Sequence, residues 1–356
     1  MAEPFSWENW RKVYLHKKNK KRASLERYGL RNLHSVSSLD LIVSKVHELY
    51  LKSNQEVVVN AKSVWIDGTP QAKFTAANGS ILNCELADLL FIMHEVDNKN
   101  TTINLRAVLL QGKCSEKHDL LPNGPSTDKE RILLESIDRN EYLTLYPGTR
   151  AYGEAIGKYK LGGDIIGLAD CAKFLMMPKN EGWSYKTPDN ISPYVIGWSE
   201  KSPSKSLINT ANYLDSIISG MIISKDMGRD IKLLDENNID RRCEWSNMIY
   251  DLLKCYLPIT MKGYNCQRRV YKSSSFDYNI PEPLTLINNE YFDSINKHAF
   301  ENIPNGEARF LCQLTLNMLG NYSGPVISTI YIQVKQKEDY SLACPSTLFN
   351  LLDNDY

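Results

Sequence analysis

Apolar residues recur every three or four positions from Leu39 through Ile42, Val43, Val46 and Leu49 to Tyr50, which predicts a helix that buries one face. Ser38 offers a side-chain oxygen to cap its start, and the pattern holds to Lys52. Beyond it the rhythm changes to that of strands. Residues 57–59, 64–66 and 72–75 are β-prone pieces broken by Asp67-Gly68 and Pro70, and Asn78-Gly79 is a hairpin-type turn. Within 81–96, the run Leu89-Leu-Phe-Ile-Met93 is too continuously apolar for a strand with one wet face. It predicts a central strand covered on both sides. A polar turn at 97–102 leads to a second buried strand at 103–114. A loop at 122–127, a helix over 128–146 and a strand over 171–177 that stops at Pro178 follow.

The second half is built differently. Residues 206–225 and 241–256 read as two amphipathic or buried helices, and 307–319 and 326–335 as apolar strands, with a helix the alternative for 307–319. A soft boundary falls at 182–206, a stretch rich in Ser, Pro and Trp. The expectation is an α/β protein with a mixed central sheet flanked by helices. Its parts are an arm over 1–37, a core over 38–182 and a helical and strand extension over 206–356.

Composition adds little about partners. The chain of 356 residues is 42 % hydrophobic, enough for a substantial core, and its 42 basic side chains match 42 acidic ones. A DNA-binding surface must then be a local patch, because affinity follows the phosphates neutralised at the contact. The best patch is the arm, where Arg11, Lys12, Lys17, Lys18, Lys20, Lys21, Arg22, Arg27 and Arg31 surround Trp7, Trp10 and Tyr14. A solvated helix explains the same charges. Arg268 and Arg269, with Lys262, Lys272, Tyr264 and Tyr271, form a second basic and aromatic cluster that a surface loop would also explain. The eight cysteines include no C-x-x-C pair, which argues against a zinc cluster and for thiols of a reducing cytosol. No basic start precedes an apolar core at the N-terminus, and 207–223 is too short and too polar to span a bilayer. A soluble, cytoplasmic protein is expected.

Chemistry concentrates at two strand ends. Glu85-Leu-Ala-Asp88 opens the first buried strand, and Gln111-Gly-Lys113 closes the second. Residues two apart on a strand share a face, so Gln111 and Lys113 emerge side by side. A lysine ending an apolar run can simply snorkel to solvent. It also suits metal-assisted phosphodiester hydrolysis, which needs a carboxylate on Mg²⁺ and a cation near the reacting phosphate. Asp88 would be that carboxylate and Lys113 that cation. Gln111 and the Gly112 carbonyl could add neutral oxygens, and Gly112 lets a ligand approach the backbone. A second Gln-x-Lys, Gln333-Val-Lys335, has no aspartate opening a neighbouring strand and reads as a decoy. Gly153-Glu-Ala-Ile-Gly157-Lys158 is one residue short of a P-loop, and no Gly-x-Ser-x-Gly or His-Glu-x-x-His occurs.

The segment 38–178 resembles the PD-(D/E)XK nuclease superfamily in its Gln-x-Lys form, a minority pattern associated with Mrr-like enzymes. That family's core runs helix–strand–strand–strand–helix–strand, with the acid on the second strand and the x-Lys motif on the third. The resemblance implies a restriction-endonuclease-like core, with Asp88, Gln111 and Lys113 in the catalytic positions. It also implies Mg²⁺ or Mn²⁺ held by Asp88, Gln111 and Gly112, assisted by an acid such as Glu48 on the first helix or Glu85. The implied activity is DNA endonuclease in a bacterial anti-phage defence or restriction system. DNA would be the substrate, with a partner subunit or a second copy of the chain compatible with that setting. The rival expectation is an inactive nuclease fold that binds DNA or a partner as a scaffold.

Overall fold

A computed structural model describes residues 3–19, 24–66, 70–147, 151, 154–184, 190–199, 208–235, 238–254, 268–277 and 325–337. Three helices come first: α1 (Trp7–Asn19), α2 (Leu25–Leu33) and α3 (Val36–Lys52). The strands β1 (Val57–Ile66), β2 (Gln71–Thr75), β3 (Ile81–Glu85), β4 (Leu89–Val96) and β5 (Thr102–Ser115) follow. Then come α4 (Pro125–Ser136), β6 (Leu143–Tyr146), β7 (Gly157–Tyr159), β8 (Ala172–Pro178), β9 (Val195–Ser199) and β10 (Ile208–Asn212). The remaining elements are α5 (Tyr213–Ile218), β11 (Arg229–Asp230), β12 (Leu233–Asp235), β13 (Asn238–Ile239), α6 (Glu244–Lys254), β14 (Arg268–Lys272) and β15 (Thr329–Gln336).

Nine strands make one mixed sheet in the order β10-β9-β8-β5-β4-β15-β1-β14, with β11 pairing β5 beside β8. The fold is α/β, with helices on both faces of this sheet. On one face α1, α2 and α3 bury Trp10, Leu30, Leu33, Leu39, Ile42 and Val46 against Phe91, Met93, Val108, Leu110, Leu175 and Met177. On the other, Leu90, Ile92, Leu109, Phe174 and Met176 meet α4, α6 and a small sheet of order β3-β2-β6-β7. Every residue of β4 is buried: the apolar run 89–93, as a covered strand requires, and His94 and Glu95 in addition to it. A tight turn joins it to β5: Asp97 Oδ1 accepts from the N–H groups of Lys99 and Thr101, and Asn100 takes a left-handed φ of 70°.

Several elements differ from the sequence expectation for local reasons. α3 starts earlier, at Val36, because Ser35 rather than Ser38 is the cap, accepting from the Ser38 N–H at 3.2 Å. The helix expected over 128–146 is shorter and earlier. Pro125 occupies its first turn, and a turn in which Asp138 accepts from Asn140 and Glu141 releases the chain into β6. Residues expected as one helix over 206–225 divide into β10, α5 and a π-helical turn over Ser219–Ile223. The 307–319 strand lies outside the described residues.

The expected boundary at 182–206 does not divide the sheet, since β9, β10, β11, β14 and β15 all join the strands that precede it. Most consequential is β15, which inserts parallel to β4 and antiparallel to β1. The arm is no solvated appendage either. Trp10 is wholly buried and donates its indole N–H to the Asn180 carbonyl at 2.8 Å. No helix among the described residues is long and apolar enough to cross a membrane.

One side chain in this core is poorly served. His34, at the end of α2, is fully buried against Trp65, and neither ring nitrogen has a hydrogen-bond partner among the described residues. Burial pulls its imidazole down from 6.5 to about 3. Because the unfolded imidazole binds a proton below 6.5 and the folded one does not, His34 removes stability as the pH falls through that window. His34→Leu should therefore match or exceed wild-type stability at pH 7. Its advantage should then grow by about 1.4 kcal/mol per unit as the pH falls from 6 to 4. Denaturant titrations at three pH values measure this, and a constant difference would show that His34 gains a partner or solvent.

Candidate functional site

The strands β4 and β5 pair from Val96 and Thr102 down to Leu89 and Leu110, but β5 runs on to Ser115. Over that extension its described strand partner is β8, in the register Gln111 to Phe174 and Lys113 to Met176. The chain before β4 has turned away, with the Leu86 N–H donating to the Pro70 carbonyl. Leu109 donates to the β8 side, to the Cys171 carbonyl, so strand alternation turns the main-chain groups of Gly112 and Cys114 toward the vacated edge. Buried N–H groups need acceptors. Asp88 Oδ2 accepts from the Gly112 N–H at 2.8 Å, and Glu26 Oε2 from the Cys114 N–H at 3.3 Å. The Asp88 N–H donates to the Leu110 carbonyl at 3.0 Å, which fixes the aspartate at the fork.

Side chains complete the cluster. Gln111 Nε2 donates to the same Asp88 oxygen at 2.7 Å. Lys113 shares the face of Gln111 and forms an ion pair with Glu130 of α4, Nζ to Oε2, at 2.6 Å. Gly112 lies on the opposite face. A Cβ there would stand 3.1 Å from Leu30 Cδ2 and 3.3 Å from Asp88 Oδ2. The missing side chain is thus what lets the carboxylate reach the amide.

The electrostatics are those of an acid cluster with too little positive charge. Burial pushes Asp88 well above the usual carboxylate range, and Glu26 adds to the rise while Lys113 opposes it. Burial likewise raises Glu26, countered by Lys113 and raised further by Glu130 and Glu85. Burial works against the Lys113 ammonium, yet Glu26, Asp88 and Glu130 together raise its pKa. The thiols beside the site are inert: burial raises Cys114, and lifts Cys84 to about 12. Gln111 Oε1 is buried with no hydrogen-bond donor among the described residues. Such an orphaned acceptor costs about 1–3 kcal/mol.

These donors fit a hard divalent cation. Asp88, Glu26 and Gln111 Oε1 offer oxygen only, and the Gly112 carbonyl turns to the same edge by strand alternation. Among the described residues no group of three or more His, Cys, Asp or Glu could hold a metal. A cation here would therefore rest on two carboxylates and neutral oxygens, a set that suits Mg²⁺, which keeps several of its waters.

The expected residues divide clearly. Asp88, Gln111, Gly112 and Lys113 meet at the fork, and Glu85, exposed at the end of β3, acts on Asp88 from outside. Glu48 does not join them. It is exposed on α3, between Lys45 and Lys52 at 3.6 Å each, and α3 packs over β1, beyond β4 and β15. The acid from a helix is instead Glu26, in the first turn of α2. Its signal was available, since Glu26, Gly29, Leu30 and Leu33 form one i, i+3, i+4, i+7 stripe with a single acid on it. Glu130 opens the same kind of stripe with Leu133, Leu134 and Ile137. The second Gln-x-Lys lies away from the fork for a reason other than the one the sequence offered. β15 does pair with β4, which Asp88 opens, but Gln333 aligns with His94 and Lys335 with Val96 at the far end. There Lys335 donates to Asn100 at 2.7 Å.

Of the basic residues, Lys17 and Lys18 lie in the last turn of α1, whereas Lys20, Lys21 and Arg22 fall outside the described residues. Arg268 and Arg269 belong to β14, not to a loop. That edge strand stands four strands from β5, roughly 19 Å at about 4.8 Å per strand.

Filling the space at position 112 tests the fork. Gly112→Ala should push Asp88 off the amide or displace Leu30, lowering stability by about 1–3 kcal/mol in denaturant titrations. An unchanged midpoint would mean that Asp88 and Leu30 move aside freely. No protein-family model, curated protein or solved structure matches this chain.

Proposed function

We propose that this chain is a Mg²⁺- or Mn²⁺-dependent DNA endonuclease with a restriction-endonuclease-like core. The observation that carries the reading is the hydrogen bonding at the fork: Asp88 Oδ2 accepts from Gln111 and Gly112, with Lys113 two residues on. With the small-sheet strands β2, β3, β6 and β7 set aside, the order β4, β5, α4, β8 agrees with the later core elements of the PD-(D/E)XK pattern. Those four inserted strands depart from that pattern, and so does β15, which separates β1 from β4. A bacterial anti-phage defence or restriction setting rests on the resemblance of motif alone.

In this reading Asp88, Glu26 and Gln111 Oε1 hold the cation, which when bound supplies the positive charge that polarises a phosphodiester. Gly112 and Cys114 orient the two carboxylates through their N–H groups. Lys113, kept cationic by its acidic neighbours, stabilises negative charge that grows on the scissile phosphate. A second reading is favoured by a specific observation. Asp88 already has two donors and Lys113 is closed against Glu130, as in a nuclease fold reduced to a DNA- or partner-binding scaffold.

Plasmid cleavage with Mg²⁺ and with Mn²⁺ separates the two. Wild type should cut, and Asp88→Ala should lose about 100-fold or more in single-turnover rate, with Mn²⁺ uptake lost in calorimetry and the fold retained at lower stability, since the Gly112 N–H loses its acceptor. DNA binding without cleavage by wild type would favour the scaffold. Binding itself should be salt-sensitive through the end of α1. Replacing Lys17 and Lys18 together by Ala should flatten the slope of log affinity against log salt by roughly 1.8, about 0.9 for each duplex phosphate no longer neutralised. An unchanged slope would make both lysines bystanders.

A further inference from the structure

Glu130 is one of three acids that act on the Lys113 ammonium, with Asp88 and Glu26, and of the three it is Glu130 that forms an ion pair with it. Glu130 is 2 % exposed, so its charge has little help from water. Its place is also closely defined. It projects from the second turn of α4, and Ser126, one turn earlier, donates its hydroxyl to Glu130 Oε1 at 2.8 Å. That leaves Oε2 aimed at Lys113 Nζ, 2.6 Å away.

The alternatives open to Lys113 give this ion pair its meaning. A lysine has a long, freely rotating stem and a compact charge. Lys113 stands beside two carboxylates that have N–H donors on one oxygen each, Asp88 Oδ2 and Glu26 Oε2. Without a competing acceptor, the ammonium would fold onto Asp88 and Glu26. It would then be the cluster's own counter-ion, in the place a divalent cation must occupy.

We infer that Glu130 is a positioning residue that draws Lys113 toward α4 and so keeps the Asp88–Glu26 side clear for the metal. The inference rests on the metal-dependent reading above and assigns Glu130 no contact with metal or substrate. Its action runs through Lys113, which distinguishes it from a ligand and from a simple packing residue.

Mn²⁺ calorimetry on the full chain tests this with three variants. Glu130→Gln keeps the size and the Ser126 hydrogen bond but removes the charge, and should weaken Mn²⁺ binding about tenfold, a shift of ~1.4 kcal/mol. Lys113→Ala should leave Mn²⁺ affinity equal to or above wild type. The decisive variant is the double one: Glu130→Gln with Lys113→Ala should recover wild-type affinity, because the competing ammonium is gone. Circular dichroism melts of all three establish folding before affinities are compared. Failure of the second substitution to restore binding overturns the inference, since Glu130 would then be a ligand or a purely structural residue. An unchanged affinity in Glu130→Gln overturns it as well. Wild type that binds Mn²⁺ yet cuts no DNA removes the nuclease reading and leaves Glu130 in its positioning role. Wild type that takes up no Mn²⁺ removes both.

Discussion

Past Leu110 the β5 strand no longer pairs with β4, and among the described residues no other strand takes up the N–H groups of Gly112 and Cys114 on that side. Two carboxylates fill the role that a strand's carbonyls would have played. This single requirement of main-chain hydrogen bonding organises everything around it. It explains why Asp88 is held at the point of divergence and why position 112 has no side chain. It also explains why α2 sits where its first turn can reach β5. The acids are structural and chemical at once. Their neutral forms are favoured by burial, their ionised forms by the amides and by Lys113.

The same arrangement shows how a sheet end differs from a sheet centre. Within β4 the run 89–93 packs apolar side chains on both faces, and the buried His94 that follows it is tied to Tyr331 and Thr102. Farther along β5, the same alternation that buries Leu109 and Leu110 on opposite faces puts Gln111 and Lys113 on the α4 side and Gly112 on the α2 side. Groups from α2, α4 and the chain before β4 can therefore meet around one strand end without any of them belonging to a long loop.

Much of the fork was legible in the chain, and for definable reasons. The run Leu89 to Met93 and the strand ending in Gln111-x-Lys113 carry signals of period and continuity that packing could not override. The helical acid was less accessible. Glu26 lies within a stretch whose lysines and arginines dominate any reading by charge, and only its stripe with Gly29, Leu30 and Leu33 marks it as inward-facing. Glu48 was drawn in by its place on the longest early helix, but residues of α3 face β1 and solvent. The small strands β6, β9 and β10 stayed hidden because each is five residues or fewer, too short for alternation to outweigh helical propensity. The pairing of β15 is a different matter. Its apolar run predicts a strand, but nothing in a local pattern says which neighbours, more than two hundred residues back, it will join.

That insertion has a consequence for how the protein is made. Until Thr329–Gln336 leaves the ribosome, β1 and β4 have no strand between them, and each presents an apolar edge of unpaired main-chain groups. Contacts of such sequence separation close slowly, because the loop entropy precedes the reward. Open edges of this kind are templates for pairing with other chains. The nascent polypeptide thus carries its most aggregation-prone surface while all the residues between β4 and β15 are being added, and closure of the sheet centre is a single delayed event rather than a progressive one.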